Sequence, residues 1–166
     1  MTRAARTSLA FWGAALAVVL VDVVTKALAL AFLWPRYVPH DVLGDTVRLT
    51  LAYNPGIAFG IPVGGPSRVI LASLALLILV VLARLYRATP PGHAWRALAL
   101  GLVCGGAVGN LIDRLRSPDG VIDFIDIGVG DVRFWTFNVA DLGVTAGAVL
   151  LAWVLWSEER KTAVAA

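Results

Sequence analysis

The sequence predicts a mainly α membrane protein, a four-transmembrane-helix bundle with a small extracytoplasmic β-sheet on the membrane surface. Three observations carry this. Of 166 residues, 59% are hydrophobic and only 15% charged, whereas a soluble domain is nearer half apolar and a quarter charged. Four apolar runs, at about 8–33, 69–85, 94–111 and 137–156, are long enough to cross the hydrocarbon core. Trp12, Trp34, Tyr86, Trp95, Trp135 and Trp156 mark their margins, as an aromatic belt at both interfaces requires. Residues 1–166 read as a single integral membrane domain.

The first run follows Arg3 and Arg6 and resembles a secretory leader in that respect alone. A leader's apolar region is short and ends at a small-residue cleavage site. This run continues to residue 33 with Asp22 and Lys26 inside it, so it is expected to be a retained helix. Basic residues sit in the short segments at one side: Arg3 and Arg6, then Arg84, Arg87 and Arg96, then Arg160 and Lys161. Those of the other side are diluted by Asp113 and by six aspartates in longer loops, at 35–67 and 116–135. The positive-inside rule then puts both termini in the cytoplasm and both long loops outside.

Within the first loop, residues 46–53 alternate as a strand, followed by a Gly/Pro-rich segment at 55–66. Within the second, 121–127 is strand-like, Gly128-Val129-Gly130-Asp131 forms a turn, and 132–135 returns. Extended backbone left unpaired in lipid is expensive, so these pieces are expected to pair in a sheet on the surface. The turn also matches the GxGD signature of presenilin-like intramembrane proteases, but there it lies within a transmembrane helix; here a hairpin turn is the reading.

Composition excludes several function classes. A net charge of +3 without a basic stripe points away from nucleic acid. Cys104 is the single cysteine, which excludes an intrachain disulfide, and with only His40 and His93 the ligand set for a zinc site is missing. No metal or cofactor is expected.

The polar residues gather at the outward end of the bundle. Asp22 and Lys26 are i and i+4 in the first run, Asn110, Asp113 and Arg114 close the third, and Asn138 and Asp141 open the fourth. Asn54 and Asp123 lie in the outward loops. Asp22 with Lys26 reads equally well as an ion pair, and Asn138 as a helix cap. Asp141 stands inside its apolar run, where a carboxylate costs roughly 2.5 to 3.5 kcal/mol unless paired or wetted. Two carboxylates brought together at such an edge share a proton, the arrangement of an aspartic protease. Asp141 is the first candidate, with Asp22, Asp113, Asp123 or Asp126 as its partner. Alternation in 121–127 turns Asp123 toward the bundle and Asp126 away from it, which favours Asp123. Gly105 with Gly109, and Gly143 with Gly147, are spaced for close approach of the third and fourth helices.

Five stretches, in order, resemble the bacterial lipoprotein signal peptidase (signal peptidase II) family: Asp22-Val23-Val24-Thr25-Lys26, Asn54-Pro55-Gly56-Ile57-Ala58-Phe59, 105–114 with its Gly-Asn-Leu-Ile-Asp-Arg ending, Val121-Ile122-Asp123-Phe124, and Phe137-Asn138-Val139-Ala140-Asp141. The resemblance implies an aspartic endopeptidase of the bacterial cytoplasmic membrane. It would remove signal peptides from diacylglyceryl-modified prolipoproteins, cutting N-terminal to the lipidated cysteine. It implies Asp123 and Asp141 as the catalytic pair, Asn54, Gly56, Asn110, Asp113, Arg114 and Asn138 as the substrate site, and Asp22 and Lys26 in support. A mobile segment would fall between Gly56 and Pro66. Expected partners are the lipidated signal peptide and membrane lipid, with the chain acting as a monomer. The rival class is a carrier or proton-coupled channel using Asp22, Lys26 and Asp141, against which the inner halves of the spans hold almost no ionisable residue.

Overall fold

The computed structural model describes residues 1–56 and 67–165. Helix α1 (Arg3–Phe32) starts where the Thr2 hydroxyl accepts the Ala5 N–H at 3.2 Å, the usual N-cap bond. It stops just before Pro35, which has no N–H to continue a helix. Helices α2 (Ser67–Arg87), α3 (Ala94–Arg116) and α4 (Val139–Ala165) follow in the same antiparallel sense. All four are long and apolar enough to cross a membrane, 20 residues being about 30 Å of helix. Their outward faces are apolar and exposed, for example Leu16, Leu20 and Val24 on α1, Leu77 on α2 and Val149 on α4. In a soluble fold such surface would be a liability; here it faces lipid.

Several boundaries differ from the sequence reading; α2 is two residues longer at each end and α4 runs on to Ala165. Helix α1 begins at Arg3 rather than residue 8, because Thr2 caps it. Helix α3 runs on to Arg116, so Asp113 and Arg114 lie within it and not beyond its end. Helix α4 begins at Val139, since Phe137 still belongs to the sheet, where it bridges to Ile125.

The helices meet through glycine, as expected where lipid leaves no hydrophobic drive between them. The spacing is borne out for three of its four glycines: Gly147 packs on α3 at Ala99, Gly143 lies near the Leu102 carbonyl, and Gly109 meets Ala140 of α4, but Gly105 turns to α1 instead. Gly101 and Gly105 pack on the α1 backbone at Phe11 and Ala15, while Gly106 faces Ala140 and Val144 of α4. Helix α3 thus presents one glycine face to α1 and another to α4, and α2 packs on its flank. Gly106→Ala is expected to cost about 1–3 kcal/mol, the usual penalty of overpacking, because the added methyl meets the Ala140 carbonyl and the Val144 side chain. Gly13→Ala, with nothing within 4 Å, should leave thermal unfolding in detergent unchanged or slightly raised.

Strands β1 (Pro39–Leu43), β2 (Val47–Asn54), β3 (Val121–Val129) and β4 (Val132–Arg133) form an antiparallel sheet in the order β1-β2-β3-β4. It sits where α1 ends and α4 begins. Strand β1 was not anticipated. Gly128 pairs with Arg133 and Val129 with Val132 around Gly130-Asp131, so the GxGD match is a two-residue hairpin. Alternation along β3 sends Ile122 and Phe124 onto Leu51 and the end of α1, at Ala29 and Leu33. Asp123 takes the other face. The segment expected to move, between Gly56 and Pro66, lies outside the described residues apart from Gly56.

Candidate active site

Sheet pairing delivers the start of α4 to β3. Phe137 and Ile125 exchange both backbone hydrogen bonds, at 2.8 and 3.0 Å, so the next residue, Asn138, lands beside Asp123. Asn138 is wholly buried. Its Oδ1 accepts the Asp141 N–H at 3.0 Å, and the Asp141 Oδ2 accepts the Asn138 N–H at 3.1 Å. This is a reciprocal capping box built from Asn and Asp in place of Ser and Glu. The cap leaves the Asn138 amide nitrogen to donate to Asp123 Oδ1 at 2.7 Å and to Asn110 Oδ1 at 3.1 Å. Asn110, from α3, in turn donates its own amide to Asp141 Oδ1 at 2.8 Å. Each carboxylate is therefore held by the amide of an asparagine, and the two asparagines hold each other.

A buried charge cluster lies behind this pair. Lys26, 3% exposed, reaches Asp22 and Asp113 at 2.8 Å each and donates to Asn110 Oδ1 at 3.2 Å. With two donors on its Oδ1, the Asn110 amide has one orientation, nitrogen toward Asp141. Asp22 Oδ1 accepts the Ala140 N–H at 2.9 Å, so a carboxylate from α1 also satisfies the first turn of α4. Asp113 accepts the Ile122 N–H at 3.1 Å, fixing α3 to β3. Gly109 allows the approach: a Cβ there would lie 2.5 Å from Asp22 Oδ2.

Asp123 and Asp141 open into one cavity of about 530 Å³, whose walls include Asn54, Gly56, Arg114, Phe137 and Thr145. Asn54 hydrogen-bonds Asp123, and its Oδ1 also accepts the Gly56 N–H at 3.0 Å. Arg114 is anchored on the Asn110 carbonyl at 3.0 Å with both acids in its field. Burial first, and then the charge of Asp141, push the Asp123 carboxyl up to about 7, against the amides of Asn138 and Asn54 that lower it.

Of the residues singled out in the sequence, Asn54, Gly56, Arg114, Asp123 and Asp141 line the cavity, and Asn110 and Asn138 support its carboxylates. Asp22, Lys26 and Asp113 form the cluster behind. Asp126 lies elsewhere, bonded to Arg133 at 2.8 Å and to the Thr50 hydroxyl at 3.2 Å. Asp131 is exposed at the hairpin tip. Among the described residues no three His, Cys, Asp or Glu side chains converge on a metal position. The sequence reading missed Thr145 and Leu71, which also line the cavity. Thr145 had a signal, being one helical turn beyond Asp141 on the same face; Leu71 on α2 had none.

The family profile described as Signal peptidase (SPase) II matches residues 14–157, and so includes every cavity residue named above. The chain belongs to the signal peptidase II family. Among the relatives of this signal peptidase II chain is the lipoprotein signal peptidase of Mycolicibacterium smegmatis, 41% identical over 81% of this chain and 55% of that one. Another is the lipoprotein signal peptidase of Moorella thermoacetica, 40% identical over 69% of this chain and 71% of that one. The chain thus spans little more than half the length of the first. Two solved bacterial membrane enzymes share the signal peptidase II fold seen here. They superpose with TM-scores of 0.76 and 0.74 at 28% and 30% identity, covering 87% and 85% of this chain and 86% and 88% of theirs.

Proposed function

We propose that the chain is an aspartic endopeptidase that cleaves signal peptides from diacylglyceryl-modified prolipoproteins, N-terminal to the lipidated cysteine. The observation that supports this reading most is the placement of Asp123 and Asp141 on one cavity, each gripped by an asparagine amide, in a chain of the signal peptidase II family. Both termini are assigned to the cytoplasm. The cavity then opens at the outer interface, where water is at hand while acyl chains stay in hydrocarbon. The chain is taken to act as a monomer.

Below about pH 7 Asp123, whose carboxyl is raised by burial and by the charge of Asp141, keeps the proton it must donate. Asp141 takes a proton from water as the water oxygen bonds to the scissile carbonyl carbon, and Asp123 gives its proton to the carbonyl oxygen. The resulting diol returns that proton to Asp123 as the C–N bond breaks, and Asp141 passes its proton to the leaving amine. Asn54, Gly56 and Arg114 hold the extended peptide, whose main-chain groups need partners at that depth. Asn110 and Asn138 aim the carboxylates, and Asp22, Lys26 and Asp113 hold those asparagines in place.

Purified protein is expected to convert a diacylglyceryl-modified precursor to its mature form, and to carry no proton or solute flux in liposomes. Flux without cleavage would establish the carrier reading instead. The rate has a definite pH dependence. As pH rises through about 7, Asp123 loses the proton it must donate, so kcat/KM should fall by about tenfold per further unit. A profile flat to two units above neutrality would remove Asp123 as the acid.

A further inference from the structure

The end of the bundle opposite the two acids carries a second built cavity, of about 420 Å³, between the start of α1 and the turn joining α2 to α3. Its walls are Arg3, Arg6, Pro91, Gly92, His93 and Trp95 with Ala94. The walls are fixed. The Gly92 N–H donates to the buried Thr7 hydroxyl at 3.0 Å, and Phe11 stacks on Tyr86 at 3.9 Å one turn deeper. Arg3 lies along Gly92, whose φ of +104° suits glycine.

Charge decides what the cavity takes. Neither Arg3 nor Arg6 has an ion-pair or hydrogen-bond partner for its guanidinium among the described residues. Glu158, which contacts the cavity residue His93 through its Nδ1 at 2.9 Å, is also reached by Arg96 at 3.8 Å and makes no ion pair with Arg3 or Arg6. Trp95, and Trp12 on the adjoining face of α1, are exposed, which sets the cavity at the depth of lipid headgroups. Two exposed arginines that both line the cavity, without an ion pair among the described residues, supply the forked donors with which arginine grips phosphate oxygens.

We propose that this cavity binds the phosphate of an anionic phospholipid of the cytoplasmic leaflet, clamped between Arg3 and Arg6 with its acyl chains running down the exposed face of α1. The site is remote from the acids and does not rest on the peptidase reading. It ties the amino terminus to the membrane and holds α1 against the α2–α3 turn.

Native mass spectrometry and thermal unfolding of the full chain in nanodiscs test this, with phosphatidylcholine alone or with phosphatidylglycerol added. Wild type should retain one phosphatidylglycerol on release and unfold at a higher temperature when it is present. Arg3→Gln/Arg6→Gln should weaken retention roughly thirtyfold, from the attraction of two basic residues at a membrane surface, with its unfolding in phosphatidylcholine unchanged. Arg84→Gln/Arg87→Gln removes the same charge from the same end but outside the cavity, and should retain the lipid. Equal losses in the two double variants would reduce the effect to diffuse surface attraction and overturn the site. So would a wild type indifferent to phosphatidylglycerol, whatever the variants do. Inorganic phosphate added to phosphatidylcholine discs should not raise the unfolding temperature; a rise equal to that from the lipid would make the ligand a free anion and contradict the proposal.

Discussion

Asp123→Asn and Asp141→Asn should each reduce conversion of a lipidated precursor by about 10²–10⁴-fold, because a carboxamide can neither accept a proton from water nor donate one to the carbonyl, and each role alone is worth about that much. The two changes preserve shape and most hydrogen-bonding capacity. Asp123 accepts the Asn138 and Asn54 amides, and each Asp141 oxygen accepts one N–H, so each amide variant gives up at most one of these bonds and is expected still to insert and fold. Asp131→Asn serves as the control. That residue is exposed at the tip of the β3–β4 hairpin, and its replacement should leave turnover within about twofold, the range of a surface change remote from the chemistry. Band-shift conversion of pro-form to mature form, with the three variants at equal membrane abundance, measures all of this together.

The second large effect concerns Lys26→Met. The substitution keeps the length of the side chain and removes the one cation that stands between Asp22 and Asp113. Two buried carboxylates would then face each other uncompensated, a loss of about 3–5 kcal/mol by comparison with other broken buried pairs. The Asn110 amide would also lose a donor that fixes its orientation, so activity should fall beyond what lower abundance explains. Adding Asp113→Asn to Lys26→Met should recover part of the stability, since it removes one of the opposed charges. Arg48→Gln breaks the exposed pair with Asp41 and should cost under about 1 kcal/mol. Thermal unfolding in detergent that ranked Arg48→Gln and Lys26→Met alike would refute the cluster's role.

How far these features could be read in the chain depends on whether they are local. The four helices were legible because an apolar run of sufficient length has few other fates, and Pro35, Pro90 and Pro118 punctuate it. Strand β1 escaped because Pro39-His40-Asp41-Val42-Leu43 lacks clean alternation; its hairpin signal was the turn at Gly44-Asp45, Gly44 having a φ of +52°. The reach of α3 to Arg116 escaped because charges at its end resemble a loop, whereas Asp113 is neutralised by Lys26 from another helix. Within the site, Asn138 and Asp141 were legible as a helix cap and an acid at the edge of an apolar run, since three residues of separation place them on one face of a helix start. The i, i+4 pair of Asp22 and Lys26 was legible too. Their contacts with Asp113, Asn110 and Ala140 were not, because the register of α1 on α3 is set by which glycine meets which backbone, and spacing alone misassigned Gly105 to α4.

The account rests on Asp123 and Asp141 acting as one proton-sharing pair, and the titration of Asp123 tests that most directly. Carbon-13 labelling of aspartate carboxyls in the protein held in nanodiscs, with Asp123→Asn to assign the signal, follows it across the pH range. The Asp123 carboxyl should titrate near 7 in the wild type and at distinctly lower pH in Asp141→Asn, since the neighbouring negative charge that raises it is gone. An Asp123 titration that stays in place when Asp141 is neutralised would mean that the two acids do not sense each other, and the shared-proton mechanism would fall.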